Sequence, residues 1–286
     1  MEQAQGDAPE VASASPGCGT CSPAGAAVRT GPSYVYALGR VQARFPSLAV
    51  EKEFAQVAAH TKVEGLTDRE TVYSVLSQRA NRYLARQMCW VFTVEELESC
   101  VLLPRDPGDF DLLVDTVRPA PRATDVDIVI GTRGPMAPPE LSGGLTVPLV
   151  MFDQIYSFDV DSLINSIPRT EGISAERFGV VAEELFSRIQ QLADNTGSSD
   201  EDRALNYLAV RYPIIYTHAA ESFGRNRSLT ELVARPSRLS GARKIVDVIF
   251  SFTHRETDVT EKQFARVDVT ERFPFLITKL SPYYER

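Results

Sequence analysis

The sequence predicts an α+β fold: a mixed or antiparallel sheet packed with several helices in a single compact domain. Three observations predict it. Strand-type and helix-type segments are interleaved, but without the regular alternation of a doubly wound sheet. Two long helical patterns lie side by side in the chain, over residues 175–193 and 200–222. Beyond them the pattern returns to strands.

The elements follow in order. Residues 1–32 are rich in Ala, Gly, Ser and Pro and poor in large apolar side chains. Such a segment cannot offset its ordering entropy by burial, so a disordered tail is expected there. The folded domain is expected to span 33–286, opening with a strand over 34–41. A helix over 46–60 offers Leu48, Phe54 and Val57 for burial. Thr67 stands three residues before Glu70, a capping box for a helix to about residue 78. A short helix is expected at 81–87. The runs 89–93 and 99–103 read as paired strands around an acidic link. Asp106-Pro107 opens another helix, with Asp as the cap and Pro in the first turn.

Residues 125–131 alternate strictly, with Val126, Ile128 and Ile130 on one strand face and Asp125 and Asp127 on the other. The Gly- and Pro-rich stretch 132–144 reads as a loop, and 147–152 as a strand. In the helix over 175–193, Phe178, Val181, Leu185, Ile189 and Leu192 form one stripe. The helix over 200–222 is expected to bend or break at Pro213. The run 244–252 is apolar on both faces, as in a central strand. Segments 264–269 and 275–280 complete the strand set.

Composition narrows the function classes. The chain has 286 residues, 43% of them hydrophobic, and a formal charge of −8. Length and apolar content suffice for a core without disulfide or metal staples. The acidic balance argues against nucleic acid as a partner. No apolar run reaches the ~20 residues that span a bilayer, and the N-terminus lacks the basic and apolar regions of a signal peptide. A cytoplasmic protein with no membrane partner is the expectation. The four cysteines, Cys18, Cys21, Cys89 and Cys100, are then thiols or metal ligands rather than disulfides.

Motifs for chemistry are sparse. Neither glycine-rich phosphate loop occurs, nor a Gly-x-Ser-x-Gly elbow. His60, His218 and His254 stand apart from Ser and Cys, and each reads as a packing or surface residue. Cys18 and Cys21 have the spacer that lets two thiolates share one zinc ion. Cys89 and Cys100 could complete the site if their strands pair; the alternative is two packing cysteines and two tail thiols, with no cofactor. Asp125, Asp127, Asp153 and Asp247 are candidates for acid/base chemistry or for ion pairs. Asp247 interrupts an apolar strand, where a carboxylate needs donors or a cation. If they shared a pocket, Arg133 or Arg82 could be their electrostatic partner.

One segment is basic: Arg225, Arg227, Arg235, Arg238, Arg243 and Lys244 face only Glu231. Arginine forks grip carboxylates, so an acidic peptide could dock there; internal pairing is the plain alternative. Arg79, Arg82 and Arg86 carry the same ambiguity. Arg235, Arg238 and Arg243 are the docking candidates, with Tyr156 and Phe158 lining the same groove.

Several strings together resemble one family. They are Ser33-Tyr-Val-Tyr-Ala-Leu-Gly-Arg40, Arg44-Phe-Pro-Ser-Leu48, Asn81-Arg-Tyr-Leu-Ala-Arg-Gln87 and Asp125-Val-Asp-Ile-Val-Ile-Gly131. Further along stand Phe152-Asp-Gln-Ile-Tyr-Ser-Phe158, Ala204-Leu-Asn-Tyr-Leu-Ala-Val-Arg-Tyr-Pro213, Arg235-Pro-Ser-Arg-Leu-Ser-Gly241 and Ser281-Pro-Tyr-Tyr284. The chain resembles the C-terminal domain of unknown function in the cyanobactin maturation proteases PatA and PatG. The resemblance implies a setting in ribosomal peptide maturation and a stand-alone accessory domain without the protease triad. A precursor peptide or a maturation enzyme is then the expected partner; a structural dimerisation domain, forming a homodimer, is a separate and plainer reading. An uncharacterised peptide-tailoring enzyme is the alternative. The family assigns no catalytic residue. Relatives often carry a cysteine where this chain reads Pro139-Glu-Leu-Ser-Gly-Gly144, and its absence weakens the case for zinc.

Overall fold

The strand-forming alternation of residues 34–44 continues without a break through Gly39, and that glycine lets one strand serve two neighbours. In the computed structural model, which describes residues 33–61, 66–119, 125–167, 174–190 and 195–284, β1 spans Tyr34–Arg44. Its first half pairs with β4 (Asp125–Met136) and its second half with β2 (Cys89–Val94). A Cβ on Gly39 would collide with the Thr93 carbonyl and come within 2.8 Å of the Phe92 ring, so the crossover needs glycine.

Strands β3 (Leu97–Pro104) and β5 (Pro148–Asp159) complete a closed barrel in the order β1-β2-β3-β5-β4, with β3 parallel to β5 and the other pairs antiparallel. This is the order of an OB-type Greek-key barrel. Alternate residues from all five strands, among them Val41, Trp90, Cys100, Val129 and Phe152, fill one core. The helices α1 (Leu48–His60), α2 (Asp68–Leu76), α3 (Arg82–Gln87) and α4 (Phe110–Thr116) add Phe54, Leu76, Leu84 and Leu113 to it. The capping box at Thr67 and Glu70 forms as expected. Asp106 caps a single 3-10 turn, from which α4 continues.

The outward residues of β1 and β4, Tyr36, Leu38, Val126, Ile128 and Ile130, belong to a second core. That core holds α6 (Val160–Ser166), α7 (Ala175–Gln190), α8 (Asp200–Arg211) and α9 (Ile214–Gly224). It also takes one face of an antiparallel sheet, β6 (Arg227–Pro236), β7 (Ile245–His254), β8 (Thr260–Asp268) and β9 (Phe275–Pro282). The α+β class stands, but there are two large cores rather than one, separated by the barrel wall. A third, small cluster places Leu145, Val147 and Leu149 over Cys89, Val91 and Val101. The chain between β4 and β5, with its one-turn helix α5 (Pro139–Ser142), thus covers the outside of the β2–β3 hairpin.

Several boundaries differ from expectation. Strand β4 runs five residues past Gly131 into the presumed loop, because the start of β5 pairs with it there: Thr132 lies opposite Met151, Arg133 opposite Val150 and Met136 opposite Pro148. The helix over 200–222 is broken at Tyr212-Pro213, as the proline requires. The basic segment contains a whole strand, β6, whose Leu229, Leu232 and Ala234 pack on the second core. The tail 1–32 and Leu192 lie outside the described residues. No helix among the described residues is long and apolar enough to cross a membrane.

Candidate functional site

The basic segment expected to dock a ligand folds into the end of the second sheet. Two connections lie side by side there. The β6–β7 connection is closed by Ser237 N–H donating to the Ile245 carbonyl at 2.8 Å and by Ser240, whose hydroxyl also donates to that carbonyl, at 2.9 Å. Lys244 N–H donates to Thr270 Oγ1 at 2.8 Å, and Val269 N–H to the Lys244 carbonyl at 2.8 Å, tying it to the β8–β9 connection. That second turn is shaped from beneath by Arg203 of α8, whose side chain is 1% exposed. Its guanidinium donates to the carbonyls of Val269 (2.7 Å), Arg272 (3.3 Å) and Glu271.

The surface so built mixes cations with exposed apolar groups. Leu239 is 63% exposed, Phe273 46% and Phe275 44%, unusual for three large apolar residues on adjoining turns. Arg243 lies 5.5 Å from the Phe275 ring centroid and pairs with Asp268 at 2.6 Å. Arg238 is exposed beside Leu239. Arg235 turns away across the outer sheet face to the Tyr283 hydroxyl and ring. Tyr156 and Phe158 are placed elsewhere. Tyr156 meets Tyr36 (Oη–Oη 3.3 Å) and Arg211 (3.2 Å), and Phe158 packs edge-on to Phe186. Both belong to the barrel wall facing the helices, and none of the three clefts described below is lined by them together with Arg235.

The four candidate carboxylates do not converge. Asp125 lies 4.0 Å from Arg118. Asp153 joins Arg105 and, at 2.7 Å, Arg272. Asp247 pairs with Arg266 at 2.7 Å. Of their proposed partners, Arg82 binds Asp111 at 2.8 Å, and Arg133 lines a small cleft beside Cys100. Asp127 has a specific structural task. Just beyond the last β1–β4 pair, its Oδ2 accepts the Val41 N–H at 2.7 Å, while Ser157 donates its hydroxyl to Oδ1.

Burial raises the Asp127 carboxyl above the ordinary carboxylate range, and its donors and Arg69 oppose that only in part. The folded chain therefore takes up this proton more readily than the unfolded one. The stability this group contributes is greatest below the ordinary aspartate pKa and is lost as pH rises through the raised folded value. Asp127→Asn keeps an acceptor for Val41 and gains a donor for Ser157, without the charge. Its stability relative to the unsubstituted chain should rise as pH rises from about 4 toward about 7, starting near the ordinary aspartate value. Urea midpoints across that range check this; a variant that loses ground with rising pH contradicts it.

The cysteines are separated by strand geometry. Cys89 points outward into the small third cluster and Cys100 inward to the barrel core. Paired strands bring their backbones together, but alternation sends the thiols to opposite faces. The two thiols therefore do not face each other, and Cys18 and Cys21 lie outside the described residues. Burial pushes the Cys100 thiol up to about 12. Among the described residues, no group of three or more His, Cys, Asp or Glu is placed to hold a metal. His218 packs edge-on to Phe252, and burial lowers its pKa.

The described residues form at least three clefts. One of about 340 Å³ has Phe186, Val126 and Val160 as its floor and Glu95, Glu96 and Glu183 at its rim. Glu95 and Glu96 form the two-residue β2–β3 turn with φ of 49° and 66°. Glycine or asparagine is the usual choice in such a turn, so the sequence carries no signal for it. A second, of about 170 Å³, lies between α7, α9 and the start of β6, and the third, of about 70 Å³, beside Cys100. The outer β2–β3 face that OB barrels often use for ligands is covered by the chain itself.

Comparison with known proteins adds the following. The family model described as PatG Domain matches residues 34–227, and the one described as PatG C-terminal matches residues 173–283. A solved structure described as "PatG Domain of Unknown Function" is similar with a TM-score of 0.70 and 18% identity, over 88% of this chain and 99% of that one. No curated protein matches.

Proposed function

Because this chain belongs to the PatG Domain family, we propose that it is a non-catalytic accessory module of ribosomal peptide maturation, of the cyanobactin-like kind, that binds a precursor peptide or partner enzyme. The observation that carries the binding part is the pairing of exposed Leu239, Phe273 and Phe275 with Arg238 and Arg243 on two adjoining turns. Aromatic and arginine side chains on a rigid frame are the usual anchors of an interface. The matching ligand is an acidic peptide with apolar side chains, whose carboxylates meet the guanidiniums and whose apolar groups cover the rings. The dispersal of Asp125, Asp127, Asp153 and Asp247 into separate structural contacts supports the non-catalytic part.

The test uses a synthetic peptide alternating glutamate with leucine, followed by fluorescence anisotropy. Arg238→Glu should weaken binding about tenfold, or ~1.4 kcal/mol, and by more at low salt, where charges are less screened. Arg238 is exposed and makes no contact that the fold depends on, so the variant should keep its thermal midpoint. Unchanged affinity at both salt concentrations counts against the patch.

A further inference from the structure

At the other end of the same sheet, three arginines from three elements line one small cleft. Arg188 projects from α7, Arg227 opens β6, and Arg255 follows β7. The floor is apolar, with Leu185, Phe223 and Phe252 among its residues. The volume is about 170 Å³, room for about five waters at their liquid volume. That suits a compact head group and is too small for a nucleotide or a helix.

The charges are unevenly satisfied. Arg188 pairs with Glu184 at 3.1 Å and donates to the Leu229 carbonyl at 2.7 Å. Arg227 pairs with Glu261, but its buried Nε has no acceptor. Arg255 is held by neutral groups: its Nε donates to Ser228 Oγ at 2.7 Å, and its guanidinium lies 4.5 Å from the Phe223 ring centroid. Glu184 is the one carboxylate among the lining residues, against three guanidiniums. A stacked guanidinium keeps its remaining N–H donors in a fixed plane, which matches the two oxygens of a carboxylate. The apolar floor favours an anion on an apolar stem over a bare, strongly hydrated one.

The geometry points to a carboxylate-binding cleft, whose ligand is a peptide's C-terminal carboxylate with an apolar final side chain. The inference stands independently of the docking surface at the far end of the sheet. Its test compares acetyl-Gly-Ser-Gly-Leu as the free acid with the same peptide as the amide, by isothermal titration calorimetry. The acid should bind saturably and the amide at least about tenfold more weakly, the loss of one charge-assisted pair. Arg255→Gln should lose about as much, and Arg255→Lys an intermediate amount, because it keeps charge without the fork. Thermal midpoints of both variants identify any loss of fold, in which case the acid–amide comparison on the unsubstituted chain decides.

A peptide with an internal glutamate and an amidated end that competes equally would move the source to a side chain and overturn the C-terminal assignment. Inorganic phosphate competing as well as the acid would overturn the need for an apolar stem. Equal binding of acid and amide, or none at millimolar concentration, would overturn the cleft altogether.

Discussion

Gly197→Ala is expected to destabilise the chain by about 3 to 5 kcal/mol, a large share of the total for a domain of this size. Two costs combine. Gly197 has φ of +70°, where an L-residue loses roughly 1–2 kcal/mol. Its Cβ would also stand 2.5 Å from Ala37 Cα and against the Tyr36 carbonyl oxygen, both fixed backbone. The close approach is part of a joint. Tyr36 N–H donates to the Gly197 carbonyl at 2.9 Å, Asn206 Nδ2 donates to the Tyr36 carbonyl at 2.8 Å, and Asn206 and Asn195 bond each other through both amides. These bonds fasten β1 of the barrel to α8 of the helical layer. Gly144→Ala is the control: its φ is +92° but nothing lies within 4 Å of the added atom. It should cost about 1 to 2 kcal/mol. Denaturant midpoints compare the two, and equal losses would mean that the joint tolerates displacement.

Arg203→Met is the second large effect, at about 3 to 5 kcal/mol. Burial lowers the pKa of Arg203, so keeping it charged has a cost that methionine removes. Against that, the buried bond to the Val269 carbonyl and the part-buried bonds to the Glu271 and Arg272 carbonyls are lost; an unmade buried bond costs about 1–3 kcal/mol, and the part-buried ones less. Arg203→Lys should recover little, because one ammonium cannot reproduce a fork across several carbonyls. Because those carbonyls shape the turn that presents Phe273, the variant should also lose peptide binding under conditions where it remains folded. Thermal melts with anisotropy on the same samples separate the two. A variant that keeps full affinity would show that the turn holds its form without Arg203.

What the sequence revealed depended on whether the signal was local. The capping box at Thr67, the break at Pro213 and the β2–β3 pairing rest on neighbours in the chain, and all three appear in the fold. Strand β6 was hidden because its arginines made the segment look solvated, whereas its apolar residues are satisfied by a helical layer far away in sequence. The acidic link between β2 and β3 is legible, but its tight two-residue form at Glu95-Glu96 is not, because it uses residues that the positive-φ conformation disfavours. Among candidate residues, Arg238 and Arg243 lie on the exposed patch, but Leu239, Phe273 and Phe275 complete it only after two turns meet. Asp247 stands out in sequence as a charge in an apolar strand, but only packing shows which backbone group or cation each of the four aspartates answers.

Hydrogen exchange read by mass spectrometry, with the glutamate–leucine peptide present and absent, tests the central claim most directly. Slower exchange confined to residues 237–244 and 270–277, with the peptide's mass unchanged, is the predicted result. Protection elsewhere with none at those two turns, or a covalent change in the peptide, would contradict it.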